Sequence, residues 1–288
     1  MVPLEMRRRY AETIRSTATI GTQALLDAFA AVPREDFVGP APWRILSKPA
    51  PGQTQPQMVD VTEPSDLYQD VAVFLDAKKM LTNGNPSTLA PWLDALNLAP
   101  GKRVFHLGCG TGYYTAVMAE VVGPKGRVTA VEVDPVLAQQ ARTSLGRYRQ
   151  VEVIEGDGGA VDTGERDAML INAGVTHPTQ GWLNNLAQSG TLLCPMTVEV
   201  GMPNIGKGLA LYVSRSGSTY SARFLPGPVM IYSCASVRDQ NIAGLFGQKM
   251  MSGTFGSVRS LRRDPHAPEP TCWLHTPEFC LSTGQSGE

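Results

Sequence analysis

Gly108, Gly110 and Gly112 close a run, VFHLGCGTGYY from Val104 to Tyr114, in which mostly apolar residues lead into a glycine turn. A helical pattern begins at Tyr113. A buried strand that feeds a glycine turn and a helix start is a nucleotide-binding geometry: the backbone can approach the ligand closely, and free amide N–H groups face it. Two further features fall at strand ends downstream. Glu132 ends the second strand, where a carboxylate can take both hydroxyls of a ribose. The pair Asp157-Gly158 follows the third strand and supplies an acceptor for an exocyclic amine of adenine.

The spacing of the glycines bears on which nucleotide is meant. A dinucleotide fingerprint reads G-x-G-x-x-G, whereas here the run is G-x-G-x-G with tyrosine at 113. This favours S-adenosylmethionine over a nicotinamide cofactor, although Glu132 would serve either. An NAD(P)-dependent oxidoreductase and a non-catalytic module that binds S-adenosylmethionine stand as alternatives. Methyl transfer from a sulfonium is an in-line displacement, so the protein chiefly aligns nucleophile, methyl and sulfur and excludes water. A carboxylate acceptor is ionised at neutral pH and needs no general base. A small-molecule hydroxyl or amine acceptor would call for a histidine base, and His177 and His106 are the candidates.

The elements that would position these groups alternate. Helices are expected over 4–17 and 22–31, followed by an irregular proline-rich connection over 39–66, a strand over 67–75 and a polar loop over 82–88. A helix at 89–98 precedes strand 103–107. Then come helix 112–122, strand 127–133, helix 135–146 (started by Asp134-Pro135), strands 151–155 and 167–172, helix 179–188 and strand 190–195. This pattern predicts an α/β fold, doubly wound and Rossmann-like, with ligands outside the carboxyl ends of parallel strands. After 205 the chain is strand-rich, followed by a helix at 240–250 and a Ser-, Arg- and Pro-rich tail. The expected divisions are an N-terminal helical and loop extension (1–95), the cofactor-binding domain (96–235) and a C-terminal extension (236–288).

A formal charge of −1 gives no electrostatic case for nucleic acid as a partner. The N-terminus lacks the apolar core of a signal peptide, and no run is long enough to span a membrane, so a cytoplasmic protein is expected. Five cysteines at irregular spacing argue for reduced thiols. His266, Cys272, His275 and Cys280 contain half of a zinc pattern in Cys272-x-x-His275. The preferred reading is nevertheless free thiols and surface histidines, with no metal. Arg259, Arg262 and Arg263 are read as a solvated tail rather than an anion site.

The segment from Arg103 to Arg142, continued by VEVIEGDGG, resembles the core of the protein-L-isoaspartate O-methyltransferases. AVPREDFV (Ala31 to Val38) is similar to the signature that ends that family's N-terminal helices. The resemblance covers roughly 20–40 and 67–200. It implies the seven-stranded class I methyltransferase sheet, S-adenosylmethionine as cofactor, and O-methylation of a carboxylate in an isoaspartyl or other peptide, or a small acid. It implies cofactor contacts at His106, Gly108, Cys109, Gly110, Thr111, Gly112, Tyr113, Glu132, Val133, Asp157, Gly158 and Asn172. The family's substrate-side loop, which reads like GQTISxP, has its counterpart in NGNPSTLAP (Asn83 to Pro91), with Ser87, Thr88 and, from another loop, His177 as catalytic candidates. Gly52-Gln-Thr-Gln-Pro56 is also similar to that loop but lies too far upstream. Two departures stand out: Leu89 occupies the place of the family's serine, and His106 that of an acid. Monomer and homodimer are both compatible with the sequence.

Overall fold

Tyr10, Ala11 and Ile14 line one face of helix Leu4–Ala18, and Leu25, Leu26 and Phe29 line one face of Gln23–Ala31. Each helix therefore buries an apolar stripe, as the sequence spacing predicts. The structure, a computed structural model, describes residues 2–47 and 56–285. The chain groups into two compact units, Met1–Lys102 with Cys109–Gly156, and Arg103–Gly108 with Asp157–Glu288.

In the first unit the stretch Ala31 to Val38 acts as a clamp. Pro33 follows the end of the second helix, and Arg34 next to it is fully buried. Its guanidinium donates to the carbonyls of Leu67, Gln69 (3.1 Å) and Val71 (2.9 Å), and it lies 5.7 Å from the ring centre of Tyr10 and 5.5 Å from that of Tyr113. The Glu35 carboxylate accepts from the Val2 amide at 2.8 Å and from the Tyr68 hydroxyl. The Phe37 carbonyl accepts from Thr111. The signature thus ties the N-terminal helices to both the 67–71 segment and the glycine turn.

The described residues between 39 and 66 are more regular than expected. Trp43–Ser47 pairs antiparallel with Gln57–Val61 on one side and Ala72–Asp76 on the other, in a four-stranded sheet completed by Leu81–Thr82. Strand Gln57–Val61 is almost wholly exposed, so it carries no inside–outside alternation for a sequence reading to detect. Gly52 to Gln55, most of the second loop-like run, lie outside the described residues. The strand expected over 67–75 is confined to Ala72–Asp76, and a short 3₁₀ helix, Pro64–Leu67, precedes it. The helix expected at 89 begins earlier, as Pro86–Ala95, because Pro86 takes the first helical position after Asn85. Beyond it come helix Tyr113–Val122, the parallel strands Arg127–Glu132 and Val151–Glu155, and helix Pro135–Ser144. The Asp134 carboxylate caps that last helix by accepting from the amides of Val136 (2.9 Å) and Leu137 (3.3 Å).

In the second unit, strand Arg103–Leu107 pairs parallel with Arg166–Ile171, which pairs parallel with Leu186–Glu199. From there Ile205–Ser216 and Thr219–Tyr232 continue as an antiparallel meander. The helix expected over 179–188 is only Gln180–Asn184, and Leu186 already pairs with Arg166. The apolar residues Trp182, Leu183, Leu186 and Ala187 mimic helical spacing across that break. Helix Gln240–Met251 lies where one was expected. The tail is not irregular: Ser260–Arg262, Cys280–Ser282 and Cys272–His275 add three further short antiparallel strands beyond the meander. Among the described residues no helix is long and apolar enough to cross a membrane.

Candidate cofactor and acceptor site

Within the first unit the glycine turn is built around the Glu132 carboxylate. Gly110 (φ +56°) donates its amide to Glu132 Oε2 at 2.8 Å, while Oε1 accepts from the amides of Val133 (3.0 Å) and Asp134 (3.1 Å). A carboxylate offers about four acceptor positions, so this cradle fixes its orientation and leaves capacity for a ligand hydroxyl. Burial pushes the Glu132 carboxyl above its ordinary range, and the three amides pull against that. Gly112 (φ +98°) begins the helix Tyr113–Val122, and a Cβ there would lie 2.6 Å from Leu145 Cδ1. Left-handed backbone and close packing together require glycine at this position.

The neighbouring side chains divide. Thr111 is committed to the Phe37 carbonyl, and Tyr113, 2% exposed, packs among Phe29, Phe37 and Tyr114. Both side chains are thus taken up by the protein's own packing. Cys109 is buried, and burial raises its thiol well above the usual range. The Val133 side chain is 71% exposed.

The 83–91 segment is held by Tyr114, whose hydroxyl donates to the Gly84 carbonyl at 3.1 Å. Ser87 and Thr88 lie in the first turn of helix Pro86–Ala95 rather than in a loop. The Ser87 amide donates to Asp70 Oδ1 at 2.9 Å, Thr88 is exposed, and Leu89 is buried. Asn83 is a residue that the sequence reading passed over as a single group. It is 9% exposed, and it exchanges two 2.9 Å bonds with the Val73 backbone, through its Oδ1 and its own amide. Its Nδ2 is buried with no partner among the described residues. A buried amide donor left unpaired is costly. Its place beside Gly84 in the loop was the available signal.

Within the second unit Gly108 (φ +73°) meets Asn172: a Cβ on the glycine would stand 2.8 Å from the Asn172 carbonyl oxygen. Asn172 donates its Nδ2 to the Gly108 carbonyl (3.2 Å) and its amide to Leu107 (2.8 Å). The Asp157 Oδ1 accepts from the Gly159 amide (2.9 Å) and from Ser236 Oγ. Gly158 is required by space, since a Cβ would fall 2.4 Å from Leu107 Cγ. His106 is fully buried, and burial holds its pKa down to about 3, so the ring is neutral. The ring has no exposed surface, which suits a structural place in the strand. His177 is half-buried. Its Nδ1 lies 2.8 Å from Thr176 Oγ1, and its ring stacks on Phe279 at 6.4 Å between centroids. Burial lowers its pKa, against the pull of Glu278 and Asp239, so it too is neutral at pH 7.

Known proteins place the chain in a family. The profile of the family described as protein-L-isoaspartate(D-aspartate) O-methyltransferase (PCMT) matches residues 7–207. A protein-L-isoaspartate O-methyltransferase of Methanothermobacter thermautotrophicus is 28% identical over 233 residues, covering 79% of this chain and 94% of its own. One from Thermotoga maritima is also 28% identical, over 60% of this chain, which spans only 50% of that relative's length. Among solved structures, a candidate protein-L-isoaspartate O-methyltransferase from Plasmodium falciparum, in complex with S-adenosyl-L-homocysteine, superposes with a TM-score of 0.60. It is 17% identical and covers 79% of this chain and 97% of its own, a likeness of fold. The glycine turn cradling Glu132 and the buried Arg34 clamp both lie inside the matched span, and the chain belongs to the protein-L-isoaspartate(D-aspartate) O-methyltransferase family of S-adenosylmethionine-dependent methyltransferases.

Proposed function

We infer that this protein transfers the methyl group of S-adenosylmethionine to the side-chain carboxylate of isoaspartyl residues in a peptide or protein. The observation that carries the reading is the family match, whose span includes the N-terminal signature, the 83–91 loop and the glycine turn. The chemistry suits the residues. A carboxylate acceptor needs orientation and no base, and His106 and His177 are neutral, with Nδ1 of His177 held beside Thr176. In this reading Gly108, Gly110 and Gly112 bring backbone against the methionine part, Glu132 holds the ribose, and Asp157 with Gly158 meets the adenine. Asn83 Nδ2 is the donor that orients the acceptor carboxylate, taking over from the family serine replaced by Leu89. Ser87, at the start of its helix, is a hydroxyl that shares that task.

The test is release of S-adenosylhomocysteine with an isoaspartyl peptide and its aspartyl twin. Turnover of the isoaspartyl form alone is expected, and Asn83→Leu should lower kcat/KM about tenfold or more, the value of one hydrogen bond to a charged group. Turnover of neither peptide by a protein that still binds S-adenosylhomocysteine overturns the acceptor, and unchanged kinetics in the variant overturns the role of Asn83.

A further inference from the structure

His266, Cys272, His275 and Cys280 converge. One ligand atom from each lies within 4.8 Å of all the others, in a cluster that stands beyond the family match and serves no step of methyl transfer. Cys272 and Cys280 are free thiols, as expected, but their convergence with the two histidines goes beyond that reading. We propose that they form a structural zinc site that pins the C-terminal hairpin.

The separations fit a tetrahedral ion. Zinc–sulfur bonds of about 2.3 Å and zinc–nitrogen bonds of about 2.0–2.1 Å put sulfur and nitrogen ligands about 3.6 Å apart. Cys272 Sγ lies 3.5 Å from His266 Nε2 and 3.8 Å from His275 Nδ1. Two thiolates and two neutral imidazoles balance the charge of a divalent ion, and a tetrahedral sulfur–nitrogen set favours zinc. Four protein ligands leave no open position, so the site is structural rather than catalytic.

The backbone is shaped for it. His275 and Cys280 face each other across the hairpin, but Cys272 is three residues before His275 and would point to the opposite face of a regular strand. A register shift between Cys272 and Leu274 inserts one extra residue and turns Cys272 back to the side of His275. Trp273, at the shift, packs instead against Phe224 and Phe246. Outer contacts orient the ligands as metal sites require. His266 Nδ1 sits 2.8 Å from the Asp264 carbonyl, which directs Nε2 at the cluster, and the Glu269 amide donates to Cys272 Sγ at 3.4 Å. Arg262 pairs with both Asp264 and Glu269 and so fastens the loop that delivers His266.

The clamp has a destination. Phe279, next to Cys280, stacks on His177, and the Glu278 carbonyl accepts from Gln180 Nε2 at 2.7 Å. Fixing the hairpin fixes the wall that covers the His177 loop. The proposal does not depend on the methyl acceptor, because its readouts are metal content and spectra.

The full chain, purified untagged without chelator from zinc-supplemented medium, should carry about one zinc per chain by elemental analysis. After removal of zinc, titration with Co2+ should give the visible bands of a tetrahedral ion together with a near-ultraviolet thiolate band. Cys280→Ser and His266→Gln should lose the stoichiometric metal and the thiolate-tetrahedral spectrum. If either variant fails to fold, the wild-type metal content and cobalt spectrum still decide. Wild-type protein without bound zinc, an octahedral cobalt spectrum, or a Cys272–Cys280 disulfide found by peptide mass spectrometry would each overturn it.

Discussion

Replacing Glu132 with alanine is expected to weaken binding of S-adenosylhomocysteine about a hundredfold, about 3 kcal/mol, measured by calorimetry. Hydrogen bonds to a charged group contribute about 1.5–3 kcal/mol each, and two ribose hydroxyls would share this carboxylate. The loss differs from that count in kind. Three backbone amides also point at Glu132, one of them from Gly110 in the glycine turn, so the alanine variant releases Gly110 and changes the shape of the binding turn. Glu132→Gln separates the two effects. It keeps an acceptor for part of the cradle and sets an NH2 group against a backbone N–H, so affinity falls while the fold survives. A dissociation constant within threefold of wild type in both variants would remove Glu132 from the cofactor's contacts.

Arg34→Met carries the largest expected cost in stability, about 3–5 kcal/mol, since buried acceptors left without their donor cost about 1–3 kcal/mol each. The methionine fills part of the volume but leaves the carbonyls of Leu67, Gln69 and Val71 without their shared donor. Arg34→Lys should recover little of the loss, because a single ammonium cannot reproduce the planar fork over the Tyr10 and Tyr113 rings. Urea denaturation of the two variants against wild type measures both. A loss below about 1 kcal/mol in the methionine variant would mean the clamp is a surface convenience.

What the sequence made legible was local. The glycines, Glu132 at its strand end and the Asp134-Pro135 cap each announce themselves within a few residues, and all appear where the spacing puts them. What it hid depended on partners far along the chain. Trp43–Ser47 is a strand because Ile45 pairs with both Val59 and Val73, and prolines nearby disguise it. Ser87 and Thr88 fit a loop by analogy, but Pro86 starts a helix there. The roles of Arg34 and Asn83 rest on burial, which no single residue type reveals. The four tail ligands were visible individually, and their convergence waits on a shift of one residue in a strand of four.

The parallel pairing of Arg103–Leu107 also sets an order in time. Its neighbour in the sheet, Arg166–Ile171, is distant in the chain; Arg103 bonds Asp167 across 64 residues. The antiparallel meander that follows joins strands through tight turns and closes from nearby contacts. Closing long loops costs entropy before it returns contacts, so distant pairings form slowly. During synthesis the glycine turn emerges early, yet the strand that presents it lacks this parallel neighbour until residue 171 has left the ribosome. The nascent chain carries the cofactor sequence well before it has a cofactor site.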